Sequence, residues 1–295
     1  MAGIPSAVPI PKIIWSYWHA PQVPSFVGEA RSTWKMLHTE WAIHALHARS
    51  PLVLELQELD GISADALEKE FFADWLRLAL LEKYGGAWLD ASIFLNDTAY
   101  LDQLHAETCT AQAEVAGFHI PIFQTLPAFP VIENWMIMAP PQSPFIRAWR
   151  QEHLHALRIG FPAYRAKIES EQKVNPQKIF KNSGTYLTQH VCAQAVMQLR
   201  NDLPSSYALL RNALEGPFLL QEDCKWSPAC IGAQMRRKVY TQLPIVKLRG
   251  CDRKFGTRAL QSLPIALVFL GIGFFALAIW KYRRGSPGVR QAALF

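Results

Sequence analysis

Residues 73–95, ADWLRLALLEKYGGAWLDASIFL, pass from an apolar helical stretch through two adjacent glycines directly into a β-prone apolar stretch. Gly85 and Gly86 supply the φ > 0 backbone through which a helix can end, so the helix is expected to stop there and a buried strand to begin at once. The helix is expected to open with Ser63 as N-cap and Asp65 in its first turn, with apolar residues continuing through Leu81. A buried strand is expected over residues 87–95, with Asp90-Ala91-Ser92 as a turn.

The rest of the chain alternates in the same manner. Residues 13–18 (IIWSYW), 41–46 (WAIHAL), 51–56, 114–120 and 134–139 read as strands, and 144–158 and 185–199 read as helices. Residues 160–182 are polar, basic and punctuated by Pro and Gly, which predicts a loop or lid. Alternating strands and helices specify an α/β fold with a mostly parallel sheet. At 295 residues there is room for one such domain, assigned to residues 1–258.

The charge is unevenly placed. Residues 236–295 hold 12 Lys and Arg against one acid, Asp252, whereas residues 1–235 hold 18 against 23. The basic end also carries residues 263–280, LPIALVFLGIGFFALAIW, eighteen residues without a charge. As a helix they would span about 27 Å, enough for the hydrocarbon core of a bilayer. Trp280 and Tyr282 stand at one edge with Lys281, Arg283 and Arg284 beyond them. We therefore expect a C-terminal transmembrane anchor over 259–282 and a short basic tail over 283–295. The positive charge then meets lipid headgroups, and no nucleic-acid partner is expected.

The first ten residues, MAGIPSAVPI, lack the basic region and apolar stretch of a secretory signal. That points to a tail-anchored chain with a cytosolic domain. Cations flank the apolar run on both sides, so its orientation and a non-spanning attachment stay open. The five cysteines (109, 192, 224, 230, 251) form neither a zinc pattern nor a disulfide framework, and a reduced domain is expected, with a Cys224–Cys230 bridge left open.

The chemistry concentrates in the helix–Gly-Gly–strand unit. Asp74 and Arg77 are three apart and project from nearly the same helix face. Alone, such a pair is an ordinary surface ion pair. Asp90 emerges from a buried strand four residues after the glycine doublet, where open α/β sheets place their ligands. Together the three suggest a ligand site.

This pattern of Asp, Arg three later, Gly-Gly, aromatic, aliphatic and Asp resembles the DXD-containing sugar-transferase region. That region is shared by yeast-type α-mannosyltransferases, glucosylating clostridial toxins and capsular polysaccharide synthesis proteins, and the resemblance to the last group is strongest. Residues 10–27, IPKIIWSYWHAPQVPSFV, resemble that family's first strand, and 130–149 and 185–190 (TYLTQH) are looser matches. The resemblance implies a GT-A-like nucleotide-binding fold and a glycosyltransferase, hexosyltransferase-like and retaining. The sequence itself supplies no nucleophile and base pair, so stereochemistry is open. By position, Trp18 would wall or stack on a nucleobase, and Asp74 and Arg77 would hold ribose, sugar hydroxyls or phosphate. Asp90 would face the ribose and a metal, and Glu133 and Asn134 would contact a sugar.

The second acid of the D-x-D motif is replaced here by Ser92. Two readings of the leaving diphosphate follow. Asp90 and Ser92 would hold a Mn or Mg ion, or protein cations would take its place, with Arg77 and the basic 165–181 stretch (Arg165, Lys167, Lys173, Lys178, Lys181) available. The expected partners are a nucleotide sugar, a carbohydrate or lipid-linked acceptor and membrane lipids. The rivals are a catalytically silent sugar-nucleotide or glycan-binding module, which Ser92 permits, and a membrane scaffold.

Overall fold

The computed structural model describes residues 9–171, 174, 184–199 and 207–253. The expected membrane segment and tail lie outside the described residues, as do Lys173, Lys178 and Lys181. Among the described residues no helix is long and apolar enough to cross a membrane.

A six-stranded mixed sheet forms the centre. Its order is β2 (Ala42–Leu46), β1 (Ile13–Tyr17), β3 (Gly86–Leu89), β6 (Glu133–Ala139), β5 (Val115–His119) and β7 (Ala208–Asn212). All pairings are parallel except the two made by β6, which runs against its neighbours β3 and β5. The expected α/β class with a mostly parallel sheet is thus what the chain adopts.

The chain leaves β1 for β2 on one side and returns to β3 on the other. That reversal opens a crevice beyond the carboxyl ends of β1 and β3. Trp18 and Asp90 are the residues that immediately follow those two strands. Because β6 is antiparallel, with Leu89 opposite Met136, its first residues Glu133 and Asn134 reach the same edge.

Helix α3 (Lys69–Tyr84) is buried on almost every side from Phe72 to Leu81. It packs against β1, β3, β6 and α5 (Pro144–Ile159), which in turn packs on α7 (Thr188–Leu199). Ser143 caps α5 by accepting from the Ile146 amide, with Pro144 at the first helical position.

Several expectations are corrected. Residues 51–56 are not a strand but the start of α2 (Pro51–Asp60), with proline at the first turn and Gly61 closing it at φ 68°. Its apolar residues Val53 and Leu56 are buried at helical spacing. Helix α3 begins at Lys69 rather than after Ser63, which belongs to a preceding turn. Residues 87–95 fall in two strands, not one, parted by the expected turn Asp90-Ala91-Ser92, which the Ile93 amide closes on the Asp90 carbonyl. Beyond it, β4 (Ile93–Leu95) leaves the main sheet to pair antiparallel with β8 (Ile245–Lys247). The expected lid opens as a helix, α6 (Phe161–Glu171). Finally, Cys224 and Cys230 form a disulfide (Cα–Cα 5.5 Å), so the domain is not fully reduced.

Gly85 and Gly86 carry φ of 66° and 94°. A Cβ on Gly86 would lie 2.7 Å from the carbonyl oxygen of Ile13, inside the β1–β3 pairing. Backbone strain and that clash add, and β1 cannot yield without losing its neighbour. Gly86→Ala should destabilise the fold by about 2–4 kcal/mol in urea unfolding; an unchanged midpoint would refute this account of the glycine doublet.

Candidate functional site

Asp74 and Arg77 do not form a surface ion pair. They lie on the buried side of α3, where the Arg77 side chain is only 4% exposed. One terminal nitrogen donates to Asp74 Oδ1 and to Gln189 Oε1 (2.6 Å), and the other reaches Asp90 Oδ1 at 3.3 Å. The guanidinium also lies over the Trp88 ring, 5.1 Å from its centroid.

Asn134 joins the same network. Its amide donates to Asp74 Oδ1 (3.1 Å) and Gln189 Oε1 (2.8 Å). Gln189 Nε2 donates in turn to the Asp74 carbonyl (2.6 Å), and Trp149 holds the Gln189 carbonyl (2.7 Å). Gln189 thus ties α7 to α3 and β6, although nothing in its local pattern marked it beyond its place in TYLTQH.

Asp90 is the exit of this network toward solvent, with its side chain 23% exposed. Trp88 Nε1 donates to Oδ1 (3.1 Å), and Lys247 Nζ reaches Oδ2 at 2.7 Å. Burial by itself would push the Asp90 carboxyl up. The cations of Lys247, Arg77 and Arg253 overcome it and hold the group at about 2. Asp74 goes the other way: burial raises it to about 6 against the pull of Arg77. His153 and His190 are pushed down to about 3 by burial and by the Arg77 charge, so both imidazoles stay neutral.

Lys247 is the second residue that the sequence did not mark. It is delivered by the β4–β8 pairing, in which Ile93 lies opposite Lys247. Its ammonium bonds Ser92 Oγ (3.0 Å) as well as Asp90, and Ser92, 1% exposed, donates its own proton to the Leu248 carbonyl (3.0 Å). Burial lowers Lys247 to about 8 even though Asp90 pulls it up.

These bonds decide how the residues match the expected ion. A divalent cation needs oxygen ligands converging on one point. Both oxygens of Asp90 are taken by donors, and the oxygen of Ser92 faces an ammonium. Among the described residues no three or more of His, Cys, Asp or Glu converge on a metal position. The Asp90/Ser92 donor set therefore does not fit a Mn or Mg ion.

Glu133 stands at the start of β6 and accepts from Trp135 Nε1 at 2.7 Å. Burial raises its carboxyl to about 7, with Trp135 and Lys247 opposing. Trp18 is half-buried after β1, its ring edge-on to Phe26 at 5.9 Å. It shares the crevice edge with Asp90 but no bond with the network. Tyr186, 63% exposed, lies in the field of Asp74 and Asp90. Of the other basic candidates, Arg165 is turned away and donates to the Gly184 carbonyl (2.9 Å).

Known proteins resemble this chain in the region that builds the site. A model of the capsular polysaccharide synthesis protein family matches residues 6–155, just over half the chain. The O-glycosyltransferase braB of Annulohypoxylon truncatum is 26% identical over 165 residues, covering 47% of this chain and 36% of that protein. The chain thus spans little more than a third of that relative's length. Among solved structures, the PaToxG glycosyltransferase aligns over 86% of this chain and 87% of its own, at 13% identity and a TM-score of 0.33, too loose to carry an argument.

The raised Glu133 carboxyl has a consequence for stability. The unfolded carboxyl ionises near 4.5 and the folded one near 7, so the wild type loses stability as pH rises through that window. Glu133→Gln should stabilise the fold by about 1–2 kcal/mol at pH 8, allowing for partial solvent access, and by almost nothing at pH 4.5. Thermal unfolding at the two pH values checks it; an equal effect at both would show that Glu133 is not held against its charged form.

Proposed function

Because the chain belongs to the capsular polysaccharide synthesis protein family, we propose that it is a glycosyltransferase of GT-A-like fold. It moves a sugar from a nucleotide-sugar donor to a carbohydrate or lipid-linked acceptor. The observation that carries this reading is the Asp74–Arg77–Asn134–Gln189 network, which joins α3, β6 and α7 by hydrogen bonds, is largely buried and reaches solvent beside Asp90. Such a network holds its polar groups in place before any ligand arrives, which suits recognition of hydroxyl and phosphate oxygens.

The parts divide as follows. Trp18, beyond β1, walls the nucleobase end of the crevice, and Asp90 faces the ribose. Asn134 and the exposed ring of Tyr186 suit a sugar, whose hydroxyls need partners and whose C–H face stacks. In the reaction the bond from the anomeric carbon to the diphosphate oxygen breaks, and its electron pair leaves with the diphosphate. An acceptor hydroxyl oxygen bonds the anomeric carbon and gives up its proton. Glu133, titrating near 7, suits that proton, because a base works best with its pKa near the working pH.

Membrane association through residues 259–282 belongs to the same proposal, since confinement concentrates enzyme and lipid-linked acceptor together. The Cys224–Cys230 bridge favours an oxidising compartment for the domain over the cytosol.

The test is a screen of the full chain, in detergent, against a panel of nucleotide sugars for slow donor hydrolysis. Hydrolysis of one donor, reduced at least about 100-fold in Asp90→Asn, is the expected result. Binding without turnover, across donors and acceptors, would replace the enzyme with a binding module. Absence of donor binding would end both.

A further inference from the structure

The cation at the D-x-D position belongs to the chain itself. We propose that the ammonium of Lys247 does the work of a divalent ion here, binding the donor's diphosphate together with Arg77 and Arg253. The inference rests on the glycosyltransferase reading and deepens it.

Lys247 Nζ sits between the two residues at the motif positions, 2.7 Å from Asp90 Oδ2 and 3.0 Å from Ser92 Oγ. An ammonium has three donors. Two are accounted for by Asp90 and Ser92, and the third is left for an incoming oxygen. Lys247 is itself buried, 5% exposed, so its stem is fixed by packing and its position is set before a ligand arrives. Three further contacts hold its strand in place: the Lys247 amide donates to the Pro217 carbonyl (2.8 Å), Gln221 donates to the Lys247 carbonyl (2.6 Å) and the Leu248 amide donates to the Ser92 carbonyl (3.0 Å).

The charge balance points the same way. Arg77, Lys247 and Arg253 act together on Asp90, against the carboxylates Asp74 and Asp90. The neighbouring histidines are neutral and Glu133 is held toward its protonated form. The cluster keeps a positive excess beside Asp90, which suits an anion arriving from the crevice. A divalent ion entering with the donor would have to displace Lys247 from Asp90 and leave that ammonium buried without its counter-charge, a costly exchange.

Binding of UDP and GDP to the full chain, followed by calorimetry in EDTA and again in 1 mM Mn²⁺, decides the matter. We expect one of the two to bind with affinities that agree within about twofold, and Lys247→Gln to lose at least about tenfold in EDTA. Lys247→Arg, which keeps the charge, should retain most of the binding. Unfolding midpoints show whether a variant is folded; should Lys247→Gln not fold, the wild-type pair of titrations and Lys247→Arg still decide. Binding that requires Mn²⁺ overturns this inference and leaves the glycosyltransferase reading standing. Undiminished binding by folded Lys247→Gln in EDTA does the same. Failure of both nucleotides to bind with or without metal overturns the inference together with the reading beneath it.

Discussion

A guanidinium that is 4% exposed needs its charge and most of its donors answered on the spot, and Arg77 sets that demand here, with only its Nε left without a hydrogen-bond partner among the described residues. Asp74 answers from its own helix, Gln189 from α7 and Asp90 from the end of β3, while Trp88 supplies a ring face. The partners come from α3 itself, from α7 and from β3 with the turn that follows it, so meeting the demand of one side chain fixes how α3, α7 and the sheet sit together. Truncating Arg77 would leave Asp74 buried with less compensation, a larger loss than the worth of any one bond. The same network that orders the core therefore ends, at Asp90, as a binding surface.

Its electrostatics are divided along the crevice. Asp90 is held ionised by surrounding cations, whereas Asp74 and Glu133 are pushed up by burial, Glu133 to about 7. Neighbouring carboxyls kept in different states can take different roles, one as a fixed negative partner and one as a group able to exchange a proton. The separation follows from position: Asp90 stands where three cations converge, while Glu133 at the head of β6 has Lys247 as its opposing cation and a tryptophan as its hydrogen-bond donor.

What could be read from the sequence was local. The spacing of Asp74 and Arg77, the helix stop at Gly85-Gly86 and the arrival of Asp90 after a short strand are all encoded within seventeen consecutive residues. The strands over 13–17, 42–46, 115–119 and 133–139 follow their apolar β-prone runs, and so the class of fold was legible too. Residues 51–56 misled because their apolar content suits either element; the proline that opens them and Gly61 after them were the helix signals. Residues 87–95 read as one strand about a turn because apolar stretches flank that turn on both sides. Gln189 and Lys247 were beyond reach for a different reason. They meet Asp74 and Ser92 across 115 and 155 residues of chain, through helix packing and a strand pairing that no local period records.

Ser92 and Lys247 make most sense as one arrangement. The side chain at position 92 is buried against the Leu248 carbonyl, and that carbonyl needs a donor. A hydroxyl can give one while still accepting from the ammonium; an ionised carboxylate, which only accepts, would oppose the carbonyl and break the contact that seats β8 beside the motif. On the proposal that Lys247 replaces the divalent ion, position 92 is not a metal ligand. It is the bracket that holds Lys247 against Asp90, and a second acid there would remove the bracket while inviting a metal into the space the lysine fills.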